Sequence, residues 1–279
     1  NAVIHLFNGR FPIEYNIKKI FLKSHKVLIY ECNEFNHKCI RKLDTVHMLN
    51  GFSDETYSLD KMINSNLKNS FVNALIEYKR KGKTISKEKF DFIFYTTNLD
   101  EYYFTGHSLD QIKFLQKFCS SFPKDSKVAI RFHPNTRNKN RFDKFYWRTY
   151  SEFLKSKGIN IFSFENNIDS YSLSGNQSLS YSLGSTIGGE LIFKDYFHYF
   201  LGDNTPFSLD KGVISLNPNE IEKNGFPVKK IFNKYKINKD IIASSLMIYF
   251  FIGEDFEYNL FRNTKNKLYK HMFSLFPEL

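Results

Sequence analysis

Cysteine is scarce here, with three residues in 279, and tryptophan occurs once. Cys32, Cys39 and Cys119 form no CxxC pair and no zinc spacing, and their odd number gives no disulfide framework. A reducing compartment is therefore expected. No apolar run reaches the ~18 residues of a membrane span. Even the stretch 241–252 is interrupted by Ser244 and Ser245, so the chain reads as soluble or peripheral. There is no DxD pair of the kind that holds a metal, and the Gly-Lys-Ser/Thr end of a Walker loop is missing. Internal repeats and low-complexity tracts are also absent, apart from a general richness in Asn and Lys. The chain starts at Asn1 with no initiator Met and no basic-then-apolar leader, and enters a strand-like run almost at once. The expectation is that the natural N-terminus is missing.

What is present in excess is positive charge. Forty Lys and Arg against 29 Asp and Glu give a formal charge of +11, spread along the whole chain. Such a surface suits polyanions or anionic lipid headgroups. The abundance of Lys, Asn, Phe, Tyr and Ile together points to a compositional bias, and no nucleic-acid module accompanies it. Nucleic acid is not an expected partner.

Short apolar, β-branched or aromatic runs alternate with longer helical patterns, the signature of βα units around parallel sheets. Strands are expected at 3–7, 27–30, 90–95, 128–132, 159–164, 179–183 and 196–201, and helices at 15–24, 59–80, 109–121, 141–157 and 187–193. The stretch 202–218 reads as irregular, followed by helical patterns at 239–251 and 256–276. The polar, proline-containing segment 120–126 reads as the interdomain linker. This divides the chain into an N-terminal domain, 1–122, completed by helices 250–279 that pack back onto it, and a C-terminal domain, 123–249.

In open parallel sheets ligands sit beyond the carboxyl ends of the strands, which singles out four places. Asn8-Gly9-Arg10 follows the first strand, where glycine allows a sharp turn and arginine can grip a carboxylate or phosphate; an ordinary turn is the plainer alternative. Glu31 follows the second strand and Asp100-Glu101 the third, carboxylates at the mouth of one sheet that could manage an acceptor proton or support an oxocarbenium-like centre. Helix capping explains Asp100 or Glu101 equally well. Arg131-Phe132-His133-Pro134-Asn135 closes the first strand of the second domain and suits a donor phosphate. Gly184-Ser185-Thr186 opens a helix whose hydroxyls and N–H groups can cradle a phosphate, and Glu190, one turn in, can accept from ribose hydroxyls or simply be a solvated helix carboxylate.

Phe7-Asn8-Gly9-Arg10-Phe11, Tyr30-Glu31, Phe94 to Glu101, Arg131 to Asn135, Asp169-Ser170-Tyr171 and Gly184-Ser185-Thr186 occur in an order that resembles the capsule polysaccharide biosynthesis proteins. More narrowly, they resemble bacterial Kdo transferases related to GT-B sialyltransferases. The resemblance implies an α/β GT-B fold, two Rossmann-like domains facing across a cleft, and transfer of Kdo from CMP-Kdo to a capsule, O-antigen or lipopolysaccharide glycan. It implies donor contacts at Arg131, His133, Asn135, Ser170, Gly184, Ser185, Thr186 and Glu190. His133 would also steady the departing nucleotide, with Asp100 as nucleophile and Glu31 as acid/base in a retaining reaction. Asn8 and Arg10 would hold the sugar carboxylate. No metal or other cofactor enters this scheme. A lipid-linked acceptor would favour a cytoplasmic location, peripheral on the inner membrane.

Two other readings stay open. A CDP-glycerol-type glycerophosphotransferase shares the His-Pro and Ser/Thr arrangement but needs no group for an acidic sugar, so Arg10→Ala separates the two enzymes. A catalytically silent glycan- or nucleotide-binding module of a larger synthase, with that synthase's other domains as partners, would leave the carboxylates unaligned.

Overall fold

Residues 3–7, 17, 20, 21, 24, 26–32, 38–41, 64–97, 111–134, 136, 141–183, 185–201, 213–231 and 237–251 are described by a computed structural model of the chain. The chain divides into two units, one formed by residues 1–81 with 239–279 and the other by residues 82–238.

In the first unit, strands β1 (Val3–Phe7) and β2 (Lys26–Cys32) pair in parallel, and β3 (Lys38–Arg41) joins β2 antiparallel. Helix α1 (Ser65–Arg80) starts where the Asn64 side chain accepts the Asn66 N–H at 2.7 Å, satisfying a donor that the helix cannot. It ends with Lys79 and Arg80 at the negative pole of its dipole. Its buried face carries Phe71, Val72, Leu75 and Ile76 at helical spacing. That face meets α6 (Lys239–Phe251), and Ser65 donates to Asp240 at the contact. This late helix, most of which the expected boundary at 249 leaves in the C-terminal domain, belongs with the first unit; the pattern 256–276 lies outside the described residues.

The second unit is a six-stranded sheet, parallel throughout. Its strands are β4 (Phe92–Tyr95), β5 (Val128–Arg131), β6 (Asn160–Phe162), β7 (Leu179–Ser182), β8 (Phe197–Leu201) and β9 (Ile214–Leu216), in the order β6-β5-β4-β7-β8-β9. Counted within the unit this is 3-2-1-4-5-6, the Rossmann order. Helices α2 (Gln111–Cys119), α3 (Arg141–Ser156), α4 (Thr186–Phe193) and α5 (Pro218–Asn224) accompany the strands, and a 3₁₀ turn, Ser170–Leu173, precedes β7. The four-residue strands β4, β5 and β7 are buried throughout, as parallel strands covered on both faces must be.

This topology corrects the division at residue 122. β4 bonds β5 on one side and β7 on the other, so it is the centre of the second unit and cannot belong to another domain. The expected linker is a tight helix-to-strand connection inside that unit. Phe122 stacks on Phe92 with ring centroids 3.9 Å apart, and Ser121 Oγ accepts from Phe226 N at 3.0 Å. The break instead falls near 81 and 239. The expected irregular stretch 202–218 also contains β9, and β3 falls where no strand was expected.

Strand alternation gives the sheet two unlike faces. Phe92, Phe94, Val128, Ile130, Leu179, Tyr181, Tyr199 and Leu201 point into an apolar cluster with Phe114, Leu115 and Phe118 of α2 and with Phe226. Each such fully buried ring contributes roughly 2 kcal/mol. Two phenols on this face reach its rim, Tyr181 donating to Pro227 O at 2.6 Å and Tyr199 to Lys229 O at 3.0 Å. Tyr95, Arg131, Ser180, Ser182 and His198 occupy the opposite face, and all five are buried.

Candidate functional site

The strand order reverses between β4 and β7, and the crevice beyond their carboxyl ends is where a doubly wound sheet binds ligands. β4 runs out into Thr96 and Thr97, both buried; β5 into Phe132 and His133; β7 into Leu183 and, past it, Ser185. Since β5 and β7 flank β4, the backbones at His133 and Ser185 belong to strands two spacings apart, roughly 10 Å.

His133 is anchored through its backbone. Its N–H donates to Thr96 Oγ1 at 3.0 Å, while its carbonyl accepts Thr136 N at 3.1 Å. Thr96 is in turn held by its own N–H on Arg131 O at 3.0 Å, which extends the β4–β5 ladder past both strands. Pro134 fixes the exit of the chain. The residue itself is half-buried. Across it, Ser185 is the N-cap residue of α4, with extended backbone (φ −76°, ψ 142°), and its carbonyl accepts Gly188 N at 3.1 Å. Its hydroxyl makes no capping bond, and the first turn of α4 carries no acidic residue. Ser185 and Thr186 are half-buried. The first-turn amides and the helix dipole of α4 favour an anion here.

Beneath these residues lies a layer of buried polar groups. Arg131, only 2% exposed, spends its guanidinium on carbonyls: Ser163 O at 2.6 Å, with longer contacts to Asn166 O and Ile168 O, while Nε donates to Ser170 Oγ at 3.1 Å. Tyr95 donates to Ser170 O at 2.9 Å and pairs with Ser174 Oγ at 3.0 Å. Tyr171 donates to Glu190 Oε2, and Glu190 is 1% exposed. Burial pushes the Tyr95 and Tyr171 hydroxyls up, reinforced for Tyr171 by Glu190, so both remain neutral donors. On β8, His198 places Nδ1 2.8 Å from Ser180 Oγ and Nε2 2.8 Å from Ser182 Oγ. Burial lowers its pKa to about 3, which keeps the ring neutral.

The expected site residues therefore separate. His133 follows β5 and Ser185 and Thr186 follow β7, the two strands that flank β4. Arg131 and Glu190 belong to the buried layer, where Arg131 binds the segment after β6 and Glu190 meets Tyr171, while Ser170 is half-buried and accepts from Arg131 Nε. A donor contact for Arg131 and Glu190 is corrected on that ground, because side chains 2% and 1% exposed have no face left for a nucleotide. Glu31 lies inside β2, opposite Cys39 of β3, in the three-stranded sheet. It does not share a sheet with the loop after β4, which corrects the expectation of two carboxylates at one mouth. Asp100, Asn135, Gly184, Asn8 and Arg10 lie outside the described residues. Among the described residues no group of three or more His, Cys, Asp or Glu is placed to hold a metal ion, and no helix is long and apolar enough to cross a membrane.

Sequence reasoning named Tyr95, Thr96 and Tyr171 within motifs but gave them no role, and missed Ser180, Ser182 and His198. The signal was there in Leu-Ser-Tyr-Ser of β7 and Phe-His-Tyr-Phe-Leu of β8. A period of two with serine and histidine at alternate places marks one polar face.

No protein-family model and no curated protein matches the chain. The solved structure of Thermosulfurimonas dismutans KpsC, a beta Kdo 2,7 transferase, is similar in fold, with a TM-score of 0.52 and 14% identity over 88% of this chain and 75% of that one. A second, KpsC beta Kdo 2,4 transferase of the same organism, gives a TM-score of 0.46 and 8% identity over 86% and 78%. The first of these is of the kind that the ordered sequence motifs resemble.

Proposed function

We propose that the chain is a glycosyltransferase whose nucleotide-sugar donor lies at the switch point of the second unit. The observation that carries this reading is a parallel sheet in Rossmann order whose strands on either side of β4 run out into His133 and into Ser185 and Thr186. The fold likeness to a Kdo transferase supports it.

In this proposal the donor is CMP-Kdo. The N-terminal turn of α4 receives its phosphate through Ser185, Thr186 and backbone N–H groups, and His133 stabilises the charge that collects on the departing CMP. Asn135 and Gly184 complete that contact by their place in the motifs. Asp100, which follows β4 in sequence, acts as nucleophile at the anomeric carbon; Glu31, from the other unit, manages the acceptor proton; Asn8 and Arg10 hold the sugar carboxylate. The two units would then be the halves of a GT-B enzyme, the acceptor a capsule or lipopolysaccharide glycan, and the location the cytoplasmic face of the inner membrane. No metal is needed, because His133 and the α4 amides supply positive potential where it develops.

Titration of the purified chain with CMP, CDP, UDP and GDP tests this. Selective binding of CMP, weakened at least tenfold in His133→Ala (about 1.4 kcal/mol), is expected. Preference for another nucleotide overturns the donor, and binding of none overturns the enzyme reading.

A further inference from the structure

The turn from Ser182 to Gly188 joins β7 to α4 and carries Ser185 and Thr186. Both of its ends meet the same imidazole. At the strand end, Ser182 Oγ lies 2.8 Å from His198 Nε2. At the helix end, Gly188 packs on the ring so closely that a Cβ there would fall 2.5 Å from His198 Cδ2 and Nε2, and 2.4 Å from Phe200 Cζ. The hydrogen-bond chain fixes the ring in one state. Ser180 Oγ donates its only proton to Phe197 O at 2.8 Å, so it must accept from Nδ1–H of His198 at 2.8 Å. Nε2 is then the bare nitrogen and accepts from Ser182. Ser182 is fully buried and His198 is 3% exposed, so a broken bond in this chain finds no water to replace it.

A phenylalanine would fill such a place without any polar group to satisfy. A fully bonded histidine instead holds one ring orientation, and ring orientation is what sets the spacing between the end of β7 and the first turn of α4.

We propose that His198 is a positioning residue that clamps the Ser182–Gly188 turn at both ends and so sets the geometry of the anion-binding turn carrying Ser185 and Thr186. The inference rests on the proposed donor site for its functional consequence, but the clamp itself has a separate readout.

Three variants of the full chain test it: Ser182→Ala, which leaves Nε2 bare; His198→Leu, which removes both bonds; and His198→Gln, whose amide oxygen can still accept from Ser182. Leu154→Ala, in the apolar cluster on α3, serves as a control that lowers stability elsewhere in the same unit. Amide hydrogen exchange at 183–191 is measured first, with each variant compared at equal stability margin. Faster exchange confined to this segment in Ser182→Ala and His198→Leu, smaller in His198→Gln and absent in Leu154→Ala, is expected. Uniform change across the unit overturns the clamp. CMP titration follows, with a roughly tenfold loss of affinity expected for Ser182→Ala and none for Leu154→Ala. If the unaltered chain binds no CMP while exchange responds as expected, the donor reading fails and the clamp stands. Unchanged CMP affinity in Ser182→Ala, despite binding by the unaltered chain, overturns the functional role of His198.

Discussion

Arg131 stands at the end of a strand, beside a His-Pro pair, where an arginine is easily read as a ligand for phosphate. Its side chain turns the other way, because strand alternation sets it on the face that carries Tyr95 and Ser182, and there the carbonyls of 163–168 need a donor. Five N–H groups on one rigid fork satisfy several of them at once. Arg131→Met removes the fork and leaves those carbonyls enclosed, so a loss of about 3 kcal/mol is expected in urea denaturation, with Arg131→Lys only partly corrective. His198 makes a prediction of opposite charge sense. Its pKa is lowered from 6.5 to about 3 in the fold, so between those values the unfolded chain takes up a proton that the folded chain refuses. Stability contributed by the neutral ring is full above pH 6.5 and is lost as pH falls towards 3, on the order of 5 kcal/mol in total. Denaturant midpoints measured from pH 7 to pH 4 should fall accordingly, and the slope should flatten in His198→Leu.

Elements differed in how far they could be read. The apolar runs that became β4, β5, β7 and β8 were legible because strands buried on both faces must be nearly continuous in apolar or aromatic residues, and the loops leaving them held His133, Ser185 and Thr186. β9 and β3 were not, being short and composed of residues such as Ser215 and Lys38 that read equally well as turn. Helix α4 was found from its glycines, yet the reason for Gly188 was hidden: it lies in the approach of α4 to β8, a contact between segments that only the fold brings together. Gly188→Ala must displace His198 or Phe200, and a cost of roughly 1–3 kcal/mol is expected by thermal denaturation, above the near-neutral or favourable effect of the same change in an exposed helix.

For the molecule as a whole, the division into units was the least legible feature. A proline-containing polar stretch looks the same between two domains as between a helix and the next strand; what distinguishes them is strand order, and no local pattern encodes that β4 inserts between β5 and β7. A direct comparison follows. A polypeptide of residues 82–238 should fold cooperatively, with a single denaturation transition, whereas one of residues 123–249 should not, because it lacks the central strand and replaces it with part of a helix that belongs with α1. Non-cooperative melting of both would remove the basis for the boundary at 81 and 239.

The same arrangement bears on the order of events during synthesis. Everything the six-stranded sheet needs has been synthesised once residue 238 is added, while α1, made far earlier, still lacks the helix it packs against. The second unit can therefore complete its fold first, and α1 must keep Phe71, Val72 and Leu75 from other partners until α6 emerges, which makes this helix the place where a chaperone would be expected to hold the nascent chain.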